Sequence, residues 1–188
     1  MPYPTQITAD QLLQITEQLI EDQGVENITL NDVAVALGVK SPSLYRYVSS
    51  RIDLLRRVTL RFLEGLVSVI IAAMEPDDSA EDRMLAVMVA YRQYAHAHPK
   101  LYLMALTYMV DALRPDEDLL VQLVLPLQSA MSDIAGAERS LAALRSILAY
   151  THGFVMLELN SQLRRGGDLS ADFLDGAGAL LSGWRAPN

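Results

Sequence analysis

The run Thr29-Leu30-Asn31-Asp32-Val33-Ala34-Val35-Ala36-Leu37-Gly38-Val39-Lys40-Ser41-Pro42-Ser43-Leu44-Tyr45-Arg46-Tyr47-Val48 decides how the rest of the chain is read. Thr29 followed three residues later by Asp32 is a helix start signal, and Leu30, Val33, Ala34 and Leu37 recur at helical spacing behind it. Gly38 can adopt the left-handed conformation that ends a helix. Ser41 reads as the cap of a further helix, with Pro42 at its first position, where a missing N–H does no harm. Only Ser43 to Val48 then remain, so that helix is short. Two short helices joined by Gly38-Val39-Lys40, with Val33, Ala34, Leu37, Val39 and Leu44 pinning them at a fixed angle, have the layout of a helix-turn-helix. Ser43, Tyr45, Arg46 and Tyr47 form a polar and aromatic outer edge that is poor core material and suits a DNA major groove.

Helical signals continue on both sides of this run. Upstream, Thr8 with Gln11 makes a capping box, and Leu12, Ile15, Leu19 and Ile20 follow at helical spacing until Gly24. Downstream, Ser50 and Asp53 open a helix compatible with continuing to Met74, about 36 Å at 1.5 Å per residue. Glu75-Pro76-Asp77-Asp78 is the first plausible boundary, and Ser79 caps what comes next. Helices are then expected from about Ala80 to His98, from Lys100 to Leu113, and from Leu119 to Ile134 with Pro126 inside. The last two are expected from Glu138 to Arg164 and from Ser170 to Ser182. No alternating strand pattern or internal repeat interrupts this series. The chain reads as all-α with about nine helices.

Composition narrows the function. The 188 residues are 51% apolar and 20% charged, so the chain can bury a real core. There is no cysteine, which excludes disulfide scaffolds, zinc fingers and cysteine nucleophiles, and suits a cytoplasmic setting. No signal-peptide pattern is found in the first thirty residues, and Gly65 to Met74, the longest uncharged apolar run near the middle, is about half the length of a membrane span. The net charge of −8 argues at first against a nucleic-acid partner, but its distribution reverses that. Lys40, Arg46, Arg51, Arg56, Arg57 and Arg61, with Asp53 as the lone acid among them, make an island of +5 in a chain whose remainder carries −13. That is how an anion-binding face looks, although a solvated helix face has the same signature.

The run from Thr29 to Val48 resembles the DNA-binding segment of the TetR family of bacterial repressors, and the likeness covers roughly residues 8 to 60. Val48 stands where the family usually has phenylalanine, and Arg51 where it has lysine. The resemblance implies that Thr29, Tyr45, Tyr47 and Arg51 hold phosphates. It also implies that Lys40, Ser41, Pro42, Ser43 and Arg46 face the bases. Arg46 is the best candidate for a bidentate contact to guanine, with a phosphate contact as the alternative; Asn31 lies where it could also reach a base, or be simply solvated. The domain organisation expected is a DNA-binding domain over residues 1–50, a linking helix over 51–74, and a ligand-binding and dimerisation domain over 75–188.

The C-terminal half holds soft and aromatic side chains suited to an adaptable apolar pocket, though ordinary core filling would use them equally. The pocket expected is lined by Phe62, Leu66, Met88, Tyr91, Tyr108, Met109, Leu123 and Phe154, with His152 as a polar tip and few charges nearby. Its ligand would be mostly apolar, neutral or singly charged. Tyr150-Thr151-His152-Gly153-Phe154 resembles a His-Gly-containing C-terminal subtype of the same family, and the last two helices, with Ala177, Gly178 and Ala179, resemble its dimerising pair. His96 and His98 point about 200° apart on a helix and cannot share a metal. No cofactor motif and no paired nucleophile and base occur, so an enzyme is not expected. The resemblance thus implies a one-component transcriptional regulator, usually a repressor: a homodimer gripping palindromic operator DNA, released by a small-molecule effector. The alternative from another class is a helical ligand carrier or scaffold without DNA binding.

Overall fold

The computed structural model describes residues 7–107, 113 and 117–185, and within that set the side chains of 117–120, 122 and 123 are not described. Every regular element among the described residues is helical. α1 (Ala9–Gln23), a single 3₁₀ turn (Val25–Asn27), α2 (Leu30–Ala36) and a 3₁₀ helix (Ser41–Arg46) come first. They are followed by α3 (Arg51–Ala72), α4 (Ala80–Ala97), α5 (Pro99–Leu106), α6 (Glu117–Ala135), α7 (Ser140–Leu159) and α8 (Leu169–Trp184).

The local start signals hold. Both capping boxes close, Thr8 with Gln11 and Thr29 with Asp32, and Ser79 caps α4 by accepting the Asp82 N–H at 3.1 Å. Gly24 ends α1 at φ +85° and Gly38 follows α2 at φ +68°, backbone that side chains with a Cβ rarely adopt. Several expectations change, and α5 ends at Leu106 rather than Leu113. The helix after Gly38 is 3₁₀ rather than α, and Ser41 lies inside it: Lys40 is the flanking residue, and no side chain caps that end. α7 stops at Leu159 instead of Arg164, because Ser161 turns to φ +53° and Gln162 N–H closes back on the Leu157 carbonyl at 2.8 Å. α8 begins one residue early, since Asp168 rather than Ser170 accepts its first N–H groups.

The described chain forms two compact units. The first combines residues up to Gly65 with His98–Asp116, and the second combines Leu66–Ala97 with Glu117–Asn188. This differs from a division at residue 75, because the break falls inside α3 and α5 packs with α1. The reason is a reciprocal pair of caps. Glu21 on α1 accepts the N–H groups of Lys100 (3.2 Å) and Leu101 (2.9 Å) at the start of α5, while Lys100 Nζ donates to the Asp22 carbonyl (2.7 Å) at the end of α1. The core of this unit is Leu12, Ile20, Ile28, Val33, Leu44, Leu54, Val58, Phe62 and Tyr102, all buried.

In the second unit α4 packs on α6, α7 and α8, and α7 on α6 and α8. α7 is the one described helix long and apolar enough to cross a membrane by length and composition. It carries Arg145 and Glu158, and its Glu158 is held by side chains of α4. The small residues of α8 divide by direction. A Cβ at Gly176 would collide with the Tyr150 hydroxyl, Ala177 is fully buried, and Gly178 faces open space.

Candidate nucleic-acid interface

The turn that joins α2 to the 3₁₀ helix is set by backbone hydrogen bonds. Gly38 N–H donates to the Val35 carbonyl at 3.0 Å, and Val39 N–H reaches the Ala34 carbonyl at 2.9 Å. Lys40 is extended, and its carbonyl accepts from Ser43 N–H at 2.8 Å to start the next helix. Val33, Ala34 and Leu44 are buried beneath, while Leu37 and Val39 are half-buried. Val48 is buried as well, so the smaller residue still closes its packing site.

On this frame the nine expected DNA-contacting residues separate by what they already touch. Lys40, Pro42, Tyr45 and Arg46 are exposed, Tyr45 at 59%, and Arg46 lies over the Tyr47 ring at 6.0 Å. Ser41 and Ser43 are half-buried; the Ser41 hydroxyl donates to Asn31 Oδ1 at 2.9 Å. Thr29 is exposed, but its hydroxyl donates to Asp32 Oδ2 and accepts the Asp32 N–H. Tyr47 donates its hydroxyl to the Ile7 carbonyl at 2.5 Å, tying the entry of α1 to the helix-turn-helix. Arg51 turns inward: Nε donates to the Ile28 carbonyl at 2.6 Å and Nη2 to the Val25 carbonyl at 2.5 Å. Nothing in the sequence marks that inward turn, since the two carbonyls lie more than twenty residues away.

The basic island is thinned in the same way. Arg57 pairs with Asp53 at 3.0 Å, and Arg61 pairs with Asp10 and, at 3.2 Å, with Glu17. The Arg57 side chain, with the Ser49 N–H, holds the Asp53 carboxyl below its ordinary range, and the Thr29 hydrogen bonds do the same for Asp32. Burial pushes Glu17 up. Lys40, Arg46 and Arg56 are left without an ion pair among the described residues, and all three are exposed.

Of the expected effector-binding residues, Phe62 belongs to the first unit, where it is buried with its ring edge-on to His98 at 6.4 Å. Leu66, Met88 and Tyr91 are buried in the second unit, and His152 and Phe154 are half-buried there. Tyr108 and Met109, and the side chain of Leu123, lie outside the described residues. Burial lowers the His152 pKa and so favours the neutral imidazole.

The expectation of few charges near these residues is corrected. Phe154 packs on Tyr150 at 5.9 Å and Phe173 at 5.2 Å, and the Arg92 guanidinium lies 5.2 Å from the Phe173 ring and 6.0 Å from that of Phe154. Arg92 grips Glu158 with two hydrogen bonds, 2.8 and 2.6 Å, and His96 Nε2 sits 2.9 Å from the same carboxylate. Burial raises the Glu158 pKa most, but the Arg92 and His96 contacts together outweigh it and hold the carboxyl below its ordinary value. Among the described residues no three His, Cys, Asp or Glu side chains are placed to hold a metal.

Comparison with known proteins agrees with this arrangement at both ends. The family model for bacterial regulatory proteins of the tetR family matches residues 12–58, and that for the tetracyclin repressor-like C-terminal domain matches residues 84–177. An uncharacterized HTH-type transcriptional regulator of Mycobacterium tuberculosis is 26% identical over 158 residues, 83% of this chain and 72% of that protein. Among solved structures, a Rhodococcus protein of unknown function superposes with a TM-score of 0.76 at 23% identity, over 99% of this chain and 100% of that one. A TetR from Streptomyces coelicolor reaches 0.76 at 16% identity, over 95% and 97%. A TetR variant from Acinetobacter baumannii in complex with minocycline reaches 0.71 at 18%, over 97% and 100%. At these identities the structures speak for the shared fold.

Proposed function

The chain belongs to the TetR family of bacterial transcriptional regulators, and on that premise we propose that it is a one-component repressor which binds palindromic operator DNA as a homodimer. The observation that supports this reading is the helix-turn-helix whose exposed side chains Lys40, Tyr45 and Arg46 have, among the described residues, no stronger partner than one ring face. Tyr45 and Lys40 serve the phosphates and the groove edge, and Arg46 reads a base. Thr29, Tyr47 and Arg51 contribute mainly by fixing the frame, with their remaining hydrogen-bonding capacity available to the backbone of DNA. Such a regulator works in the cytoplasm.

The dimer reading is supported by what α7 and α8 leave uncovered. Leu157 and Leu174 are 39% and 42% exposed, and Gly153 and Gly178 have open space where a Cβ would stand. Apolar helix faces with small residues pack closely against their two-fold copies. Ala177 is buried within the subunit and does not belong to that face. The effector is a small, mostly apolar molecule taken up beside Met88, Tyr91 and His152; Arg92 and Glu158 neutralise each other and leave no unpaired charge for a polyanion.

A mobility-shift assay on duplex DNA from upstream of the chain's own reading frame tests the regulator. Retention that exceeds a scrambled duplex and weakens with salt supports it, whereas no retention on any duplex favours the ligand carrier. Sedimentation of the Leu174→Glu variant should shift from dimer to monomer with operator binding lost alongside.

A further inference from the structure

Gly176 on α8 leaves no room for a Cβ: one placed there would collide with the Tyr150 hydroxyl and lie 2.9 Å from the ring carbon that bears it. That hydroxyl, carried by α7, donates to the Phe173 carbonyl at 2.9 Å, and the Tyr150 ring stacks on the Phe173 ring with centroids 5.6 Å apart. A carbonyl inside an α-helix accepts the N–H four residues on, and the side chains three and four residues on lean back over it. Gly176 is the residue three on from Phe173, so its missing side chain opens the way to that carbonyl. Burial raises the Tyr150 pKa, and the hydroxyl keeps its proton for this bond at neutral pH.

The contact sets the rotation of α8. With Gly176 held against α7, Leu174 and Gly178, each two residues away and so about 200° round the helix, point to the opposite side. Both are uncovered there: Leu174 is 42% exposed, and a Cβ at Gly178 would meet nothing within 4 Å. On α7, Tyr150 heads a stripe at i, i+3 and i+7 that continues with Gly153 and Leu157, which are open as well. A phenol ring turned out of its seat at Gly176 would enter that stripe. Resting on the dimer reading above, we infer that Tyr150 and Gly176 are the positioning pair of the homodimer: the glycine admits the phenol to the α8 backbone, and the phenol so held turns Leu174 and Gly178 toward the partner and keeps itself off the shared face.

The test is the dimer dissociation constant of the full chain, measured by fluorescence-detected sedimentation, for the wild type, Tyr150→Phe, Tyr150→Ala, Gly176→Ala and the double variant, with helix content as the folding control. Tyr150→Phe keeps the ring and loses one hydrogen bond, and should weaken the dimer about fivefold. Gly176→Ala should weaken it by more than about tenfold when Tyr150 is present and by less than about twofold in the Tyr150→Ala background, because the clash needs the ring. A contact that merely stabilises the subunit would lower the urea midpoint of each variant and leave the dissociation constant unmoved. A constant unchanged in Tyr150→Phe and Gly176→Ala, or an equal effect of Gly176→Ala in both backgrounds, overturns the inference while leaving the dimer intact. If Gly176→Ala fails to fold, Tyr150→Phe decides alone, by weakening the dimer or leaving it as it was. A wild-type chain that sediments as a monomer overturns the dimer reading and this inference with it.

Discussion

Arg46 and Arg92 each lie over an aromatic ring, yet the two units of the chain use them in opposite ways. Arg46 is exposed and among the described residues its guanidinium meets only the Tyr47 ring, whereas the Arg92 side chain is 19% exposed and spends its fork on a carboxylate that is 5% exposed. A guanidinium already satisfied inside the fold holds helices together. One left at the surface of a helix-turn-helix is available to a partner. The same distinction runs within the basic island, where Arg51, Arg57 and Arg61 are engaged and Lys40, Arg46 and Arg56 are open. The difference teaches that a cation's role follows from its partners and not from its place in a charge run.

The sharpest way to break this comparison is to remove the buried fork. Arg92→Ala leaves Glu158 buried with only His96 beside it, and should cost about 3 kcal/mol of unfolding free energy in urea titration. An unchanged midpoint would make Arg92 no more structural than Arg46. Arg51→Ala comes next. It frees two carbonyls from a charged donor, so a stability loss of about 2 kcal/mol is expected, with weakening on all DNA sequences alike. If DNA affinity fell with no loss of stability, Arg51 would return to the phosphate clamps.

Thr29→Ala should cost about 1 kcal/mol by opening the capping box of α2, again read by denaturation. The smallest effect is with pH. Because Glu158 is held below the ordinary glutamate value of about 4.3, the unfolded chain takes up its proton first; this contribution is complete above that value and is lost as pH falls through the lower folded one. In Glu158→Gln the corresponding part of the acid destabilisation should vanish, which stability measurements between pH 7 and pH 3 would register.

These effects also mark where the sequence is readable. Thr8 with Gln11, Thr29 with Asp32, Gly24 and Gly38 are signals that act within four residues of chain, so helix starts, stops and the helix-turn-helix follow from local sequence alone. The Arg92 contact to Glu158 spans 66 residues and the Glu21 cap of α5 spans about 80; no local pattern encodes such pairings. Ser41 reads as a helix cap by type and spacing, but its hydroxyl finds Asn31 ten residues back. Ala177 reads as a dimer-face residue by composition, but it is buried within the subunit, and the Tyr150 ring lies against its neighbour Gly176. Direction around a helix is fixed by what packs against it, and that information is distributed over the whole chain.

The most direct test of the DNA-binding role is a fluorescence anisotropy titration of a duplex from upstream of the reading frame and of a scrambled duplex, across a range of salt, with the wild type and Arg46→Ala. Two open cations per subunit left for phosphate, Lys40 and Arg56, in a dimer predict a slope of log K against log salt of roughly −4. The wild type should bind the upstream duplex more tightly than the scrambled one, and Arg46→Ala should lose about 1 to 3 kcal/mol of that difference while its urea midpoint stays unchanged. Equal binding of both duplexes by wild type and variant at every salt, or an Arg46→Ala protein that is less stable but no less selective, would contradict it.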